Sequence, residues 1–340
     1  MSDDKFLDEI LDTFGEEVLI TDSSDIDAIS TGSISLDASI GIGGIPKGRI
    51  TEIFGSESTG KTTMALGMTK SALASGGRAL YVDAENMLDY KLVKMIVGNE
   101  LDSGQLVILN PESAEDAFMM CEMGITSGNF DLVILDSIGA LAPQKEKDDD
   151  FEKANVALTS RLVTKFLRRV AFQVKKTNTA LVLLNQVRDK IGSFMGGFET
   201  PGGHALKHFS ALRISLTKGK KIQVGTGKDA IVVGIDVNFT VRKNKLAPPF
   251  RGFHFPIMFG KGIDTPMDYL EFCSMLGIIK KSGSYFKFGD ETLGQGKLAA
   301  TEALRGNKLL LDKLTEMVYN TLEINNMGSL IVEEEEEDNG

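Results

Sequence analysis

The sequence is poor in the residues that build cross-linked or metal-stapled scaffolds. It has two cysteines, Cys121 and Cys273, far apart and in apolar helical contexts. Neither belongs to a CxxC pair or a disulfide framework, so a reducing cytosol is the expected compartment. The three histidines, His204, His208 and His254, show no spacing typical of a zinc site. The first residues, Met1-Ser2-Asp3-Asp4-Lys5, are acidic where a signal peptide needs positive charge. No apolar run approaches the length of a membrane span, and no membrane partner is expected. Positive charge is in deficit as well, 37 Lys and Arg against 48 Asp and Glu, for a net charge of −11.

Spread evenly, that deficit would argue against a nucleic-acid partner. It is not spread evenly. Six of the acidic residues form one run, Glu333–Asp338, which cannot bury itself and is expected to be a solvated tail. Basic residues cluster at Arg161, Lys165, Arg168 and Arg169, at Arg188 and Lys190, and at Arg242, Lys243 and Lys245. Local placement of charge, rather than its total, decides what such a surface attracts. What remains is an ordinary soluble composition, 42% hydrophobic and 25% charged, long enough at 340 residues for a large α/β core and one or two smaller units.

The chain is organised around Gly55-Ser56-Glu57-Ser58-Thr59-Gly60-Lys61-Thr62, a P-loop pattern. Ile50–Phe54 before it reads as a buried strand. Met64, Ala65, Met68, Ala72 and Leu73 after it have helical spacing, stopped by Gly76-Gly77. Strand, glycine loop and helix start together make an anion site of backbone N–H groups and helix dipole. A Gly/Ser turn that happens to carry a lysine is the plain alternative, and the flanking elements disfavour it. Lys61 is expected to reach the β- and γ-phosphates of a nucleoside triphosphate, and Thr62 to hold Mg²⁺.

From Ser33 to about Lys261 strands and helices alternate as in a doubly wound sheet. Ala79–Val82 ends in Asp83-Ala84-Glu85, Leu132–Leu135 in Asp136-Ser137, and Ala180–Leu184 in Asn185-Gln186. Carboxyl ends of parallel strands line one crest, where ligands bind. Asp136 is placed for the Mg²⁺ shell, Glu85 to deprotonate an attacking water, and Gln186 to sense the γ-phosphate. The stretch from Val187 to Gly203 then carries five glycines among apolar and basic residues. It reads as a loop that nucleotide or nucleic acid orders, or as a solvated connection. Its Arg188 and Lys190 suit phosphate, and Ile191 and Phe194 could wedge against bases.

Two flanking units complete the reading. Phe6, Leu7, Ile10, Leu11 and Phe14 share one face of a helix over residues 3–14, behind a polar tether, Thr21–Asp27. That helix can fold back on its own core or dock on a neighbour. Residues 262–328 form a smaller α/β unit, helical over Met267–Leu276, strand-like over Tyr285–Phe288 and mostly helical over Leu298–Leu322.

Together these motifs resemble the RecA recombinases. The resemblance rests on Ile29-Ser30-Thr31-Gly32-Ser33-Ile34-Ser35-Leu36-Asp37, Gly43-Gly44-Ile45-Pro46-Lys47-Gly48-Arg49, the P-loop, Asp83-Ala84-Glu85, Asn185-Gln186-Val187-Arg188 and Lys243-Asn244-Lys245-Leu246-Ala247-Pro248-Pro249-Phe250. It covers about residues 29–300. It implies a RecA-like α/β core with a largely parallel sheet, binding ATP and Mg²⁺, that forms helical filaments on single-stranded DNA and exchanges strands with a homologous duplex. The division it implies is a polymerising helix and linker over 1–32, an ATPase core over 33–261, a small domain over 262–328 and the acidic tail over 329–340. It places the nucleotide on Gly55 through Thr63, with Asp89, Phe259 and Gly260 around the adenine. Catalysis falls to Glu85, Lys61 and Gln186, with Lys243 and Lys245 reaching the ATP of the adjoining protomer. DNA contacts fall to Arg161, Arg168, Arg188, Lys190, Ile191, Gly192, Gly202 and Gly203. The compartment implied is the bacterial cytoplasm, or that of a bacterial host for a phage protein.

The sequence departs from the family pattern at several places. The first DNA loop, Asp149–Val156, is acidic and has no glycine, Asn86 replaces a histidine, Leu92 an aromatic residue and His208 a phenylalanine. A ring-forming motor of the same core would lack the glycine-rich loop and Lys-Asn-Lys. A metabolic kinase would need a small-substrate lid and no polymerising helix.

Overall fold

Period and composition set the elements, and the computed structural model describes residues 3–15, 26–145, 156–189, 198–199, 201–225, 230–249 and 251–324. In chain order the strands are β1 (Ala28–Ile29), β2 (Ile45–Pro46), β3 (Ile50–Gly55), β4 (Ala79–Asp83), β5 (Leu106–Leu109), β6 (Leu132–Asp136), β7 (Ala180–Gln186), β8 (Arg188–Asp189), β9 (Phe198–Glu199), β10 (Leu212–Val224), β11 (Ile231–Asn244), β12 (Gly252–Met258), β13 (Gly262–Ile263), β14 (Lys280–Ser282), β15 (Tyr285–Phe288) and β16 (Glu291–Gln295). The helices are α1 (Asp3–Phe14), α2 (Ile34–Ile40), α3 (Lys61–Ala74), α4 (Tyr90–Val97), α5 (Ala114–Thr126), α6 (Val156–Lys176), α7 (Gly203–Phe209), α8 (Thr265–Met275), α9 (Gly296–Leu304) and α10 (Lys308–Ile324).

Nine strands form one sheet in the order β13-β12-β11-β10-β3-β7-β6-β4-β5. From β10 to β5 every pairing is parallel, and from β10 to β13 every pairing is antiparallel. This is the largely parallel sheet expected. β4 and β6 are buried along their whole length, as strands covered by helices on both faces must be. The apolar core lies on both faces, α3 and α4 on one and α5 and α6 on the other. Cys121 and Cys273 are free and buried, and burial pushes both thiols up to about 12. Among the described residues no helix is long and apolar enough to cross a membrane.

The Ser-Thr-Gly-Ser motif is a fold device. Ser33 caps α2 by accepting from Leu36 N, while Asp37 accepts from Ser30 Oγ, Thr31 Oγ1 and Thr31 N. α2 then shares a core with α8, α9 and α10 through Ile34 and Ala38. The C-terminal lobe is therefore packed on a segment from near the start of the chain. Its sheet has three strands, β14-β15-β16, where only β15 was expected. The stretch expected to be mostly helical over Leu298–Leu322 holds two helices, α9 and α10. Gly306, at φ 76°, breaks it, and Asn307 Oδ1 accepts from Leu310 N to start α10. The large sheet takes in Gly262 and Ile263 as β13. Phe6, on the apolar face of α1, is 69% exposed.

Candidate functional site

β3 delivers the chain to the phosphate loop from between β10 and β7. Gly55 closes the strand, and a Cβ there would collide with Leu216 O and lie 2.8 Å from Thr59 Oγ1. Gly60, at φ 83°, caps α3, and its missing side chain leaves space taken by Ile257 of β12. Ser56, Glu57 and Ser58 are exposed at the tip, and Thr59 is buried with its hydroxyl donating to Ser56 O at 2.9 Å. Thr62 and Thr63 follow on the first turn of α3, both half-buried. The turn is thus preshaped by two glycines whose positions no other residue fits.

Lys61 is buried, and its Nζ donates to Gly55 O at 3.0 Å and to Ser56 O at 2.7 Å. Burial lowers its pKa, against the opposing pull of Asp136, Glu85 and Glu57. Thr62 Oγ1 donates to Asp136 Oδ2 at 2.8 Å, joining α3 to the end of β6. Tyr81 OH, from β4, donates to the same oxygen at 2.6 Å. Burial raises Asp136 to about 6, and these two hydroxyls hold it back from going further. Tyr81 was legible only as a core aromatic. Its one sequence signal is that a fully buried tyrosine needs a partner for its hydroxyl.

Glu85, just beyond β4, accepts at one oxygen, Oε1, from Ser137 Oγ at 2.6 Å and from Gln186 Nε2 at 3.1 Å. Adjacency explains the meeting, because β7, β6 and β4 are consecutive in the sheet. Lys61, Thr62, Asp136, Glu85 and Gln186 are therefore brought together, with Tyr81 and Ser137 added. Asp89 caps α4 by accepting from Lys91 N, and the Phe259-Gly260 turn lies against Met95 of the same helix. Phe259 is 56% exposed.

A second group of residues lies beyond β7. Arg161, Lys165 and Arg168 are exposed along one side of α6, while Arg169 pairs with Glu122 at 2.6 Å. Gly202, at φ 98°, packs beside Val163, and Gly203 beside Ser160, so the end of the glycine-rich loop rests on that helix. Arg188 opens a short antiparallel pair in which Arg188 faces Glu199. The base of the loop is thus strand-paired. Lys190, Ile191, Gly192 and Phe194 lie outside the described residues, as do most of the acidic first loop and the acidic tail. Asn185 Nδ2 donates to Pro201 O at 2.8 Å and to Glu52 Oε1 at 3.0 Å, and Glu52, fully buried, pairs with Arg213 at 2.5 Å. The far end of the loop is therefore tied to the strand that carries Gln186.

Lys243 lies on β11 and Lys245 just beyond its end. β11 begins at Ile231 and ends at Asn244. Asn244 Oδ1 accepts from Leu246 N and Ala247 N, and its amide donates to Ile40 O. That side-chain turn ends β11 beside Lys245, whose N–H still donates to Ala211 O at 3.0 Å. Lys245 is exposed. Lys243 Nζ donates to the carbonyls of Lys207 and His208 at the end of α7, at 2.7 and 3.1 Å. Burial and the neighbouring Lys245 lower its pKa.

The chain matches two family models, the RecA N-terminal domain over residues 4–264 and the RecA C-terminal domain over residues 268–323. It is 43% identical to Protein RecA of Thermus aquaticus over 295 residues, which is 86% of this chain and 85% of that one. Against Protein RecA of Aquifex aeolicus it is 42% identical over 294 residues, 86% of this chain and 83% of that one. Against Protein RecA of Chlamydia abortus it is 39% identical over 317 residues, 93% of this chain and 88% of that one.

Proposed function

The chain belongs to the RecA family, recombinases that exchange DNA strands and hydrolyse nucleotide, and from that membership we propose how its own residues divide the work. The observation that carries the division is the double convergence at the strand ends, Thr62 and Tyr81 on Asp136, Ser137 and Gln186 on Glu85.

The nucleotide is ATP. The backbone from Gly55 to Thr63 cradles its phosphates, and Lys61 leaves the carbonyls of Gly55 and Ser56 to meet them. Thr62 and Asp136 hold Mg²⁺, whose charge offsets that of the phosphate oxygens. The donor set fits, a half-buried hydroxyl and a buried carboxylate already in contact at a sheet crest. Glu85, with Oε1 fixed by two donors, takes a proton from the attacking water. Asp89, Phe259 and Gly260 border the base.

DNA lies along Arg161 and Arg168 of α6, the backbone of Gly202 and Gly203, and the loop from Arg188 through Gly192. Phosphate contacts of this kind position the strand without reading its sequence. Gln186 feels the γ-phosphate, and Asn185 beside it holds Pro201, so nucleotide and DNA loop share one strand end. Filament formation joins one protomer's Lys243 and Lys245 to its neighbour's ATP. Phe6 on α1, and Met119 and Met123 on one face of α5, are exposed and suit burial against a second protomer.

A mixing experiment tests this division. A Lys61→Ala chain and a Lys243→Ala/Lys245→Ala chain are expected to hydrolyse no ATP alone. Co-assembled in equal amounts on single-stranded DNA, roughly a quarter of head-to-tail interfaces pair an intact loop with intact lysines, and activity returns to about that fraction. Mixed filaments, seen by electron microscopy with two distinguishable labels, that stay inactive would overturn the role of the lysines across the interface.

A further inference from the structure

Away from the strand-end crest, three side chains of metal-binding type meet where the sheet joins the C-terminal lobe. They are Asp236 of β11, His254 of β12 and Glu271 of α8, with one ligand atom from each within 4.8 Å of the others. Register explains the meeting. Asp236 pairs with Pro256, and His254 lies two residues along β12 from Pro256, so alternation puts it on the same face. The alternate positions, Val237 and Ile257, flank Gly60 of the phosphate loop. The cluster and the loop therefore use opposite faces of the two strands.

These groups satisfy one another incompletely. Lys297 pairs with Glu271 Oε1, and His254 Nε2 lies 3.3 Å from Glu271 Oε2. Asp236 Oδ1 and Glu271 Oε2 are nonetheless shielded from solvent and accept no hydrogen bond of good geometry. A charged oxygen held away from water without a donor is costly, and a cation is what relieves it. Lys297 supplies one positive charge beside two carboxylates, and Lys220 is the next cation within electrostatic reach of Asp236. The side chains of His254 and Glu271 keep 30% and 18% of their surface exposed, so the cluster is reachable from solvent.

We propose that Asp236, His254 and Glu271 form a binding site for a divalent transition-metal ion that pins the C-terminal lobe to the large sheet. One imidazole nitrogen and two carboxylate oxygens suit Zn²⁺, Co²⁺ or Mn²⁺, whereas Ca²⁺ and Mg²⁺ favour all-oxygen shells. Water completes the shell. Two ligands come from the segment matched by the N-terminal domain model and the third from the segment matched by the C-terminal one. An ion held by all three cross-links the lobes, stabilises the folded chain by mass action, and is independent of the nucleotide's own cation at Thr62 and Asp136.

The test uses the full chain, stripped with chelator and free of nucleotide. The sequence has three histidines, so imidazole resonances report site by site. Stoichiometric Co²⁺ is expected to shift or broaden the signals of His254 before those of His204 and His208. Calorimetric titration with ZnCl₂ is expected to show a site that His254→Ala and Asp236→Asn each weaken by ~10–100-fold. Zn²⁺ is further expected to raise the melting temperature of the parent and not of these variants, while their Mg²⁺-supported ATPase remains. Equal Zn²⁺ affinity in parent and variants would overturn the site. So would His254 signals unmoved at an excess of Co²⁺, a measurement on the parent that stands even where a variant fails to fold.

Discussion

Two regions of this molecule bury an aspartate under hydroxyl donors, and they keep different company. At the strand-end crest, Asp136 is 5% exposed and accepts from Thr62 and Tyr81. At the base of the C-terminal lobe, Asp37 is also 5% exposed and accepts from Ser30 and Thr31, each hydroxyl at 2.6 Å. Burial dominates both, raising Asp136 to about 6 and Asp37 to about 7. The difference lies in the company. Asp136 has Lys61 and Glu85 within electrostatic reach and ends a strand at the crest. The charge acting on Asp37 is another carboxylate, Asp268, held by Ser33 and Ser35. A buried, hydrogen-bonded carboxylate is therefore not by itself a site. A cation, an acid and an amide converging beside it are what mark Asp136 as the candidate.

The largest effect that separates the two regions is on turnover. Lys61→Ala is expected to lower DNA-dependent ATPase by ~10²–10³-fold or more, because it removes the positive charge we assign to the reacting phosphates. Glu85→Gln is expected to slow hydrolysis by ~10²–10⁴-fold while nucleotide binding survives, as fits loss of a general base alone. Asp37→Asn is expected to leave turnover within about threefold in steady-state assays at 25 °C, since no reacting group touches it. An Asp37→Asn chain that folds yet loses turnover as Lys61→Ala does would break the comparison.

What the sequence made legible follows the same divide. The strand, loop and helix over residues 50–74 are local, so short-range pattern was enough to find them. β6 and β7 are fully buried apolar runs, and their polar ends were visible as Asp136, Asn185 and Gln186. β10 was hidden because its outer half is polar, its pairing with β11 is register-shifted and Gly219 interrupts it. Tyr81 carries no mark of its partner, which is 55 residues away. Asn244 looked like a spacer between two lysines, but its side chain ends the strand. Contacts between elements distant in the chain, such as Ser33 with Asp268, leave no periodic signal at all.

Acidity sharpens the comparison further. Asp37 is pushed from 3.8 up to about 7 by burial, so the folded chain binds its proton more tightly than the unfolded chain does. Its contribution to stability is therefore full below pH 3.8 and is lost as pH rises towards about 7. Asparagine stays neutral throughout. Between pH 5 and pH 7 the stability of Asp37→Asn is expected to gain on the parent by up to about 1.4 kcal/mol per pH unit, levelling above roughly pH 7.5. Asp268, raised to about 6, adds a slope of its own to both chains and largely cancels in the difference. Urea unfolding of both chains across that range measures it. A flat difference would mean that Asp37 is ionised in the folded protein.

The smallest effect is the most discriminating, because it removes one hydroxyl from each region and nothing else. Tyr81→Phe takes a 2.6 Å donor from Asp136 Oδ2, and Ser30→Ala takes a 2.6 Å donor from Asp37 Oδ2. Each loss includes one hydrogen bond to a buried acid, on the order of 1–3 kcal/mol when that acid is charged, and Ser30→Ala also takes the acceptor of Gly32 N. At Asp37, raised to about 7, the acid is largely protonated near pH 6, so the loss falls on folding. Ser30→Ala is therefore expected to lower stability by about 1 kcal/mol at pH 6 and to leave the Mg²⁺ dependence of ATPase where it was. At Asp136 the same hydroxyl orients a carboxylate assigned to the cation. Thr62 remains on that oxygen, so the group is displaced rather than freed. Tyr81→Phe is accordingly expected to raise the Mg²⁺ concentration for half-maximal ATPase by ~5–10-fold, about 1 kcal/mol, with maximal turnover recovered at high Mg²⁺. The matched titrations distinguish a carboxylate that serves chemistry from one that serves the fold. If both variants shift the Mg²⁺ dependence, or neither does, Asp136 and Asp37 are not divided in the way their surroundings indicate.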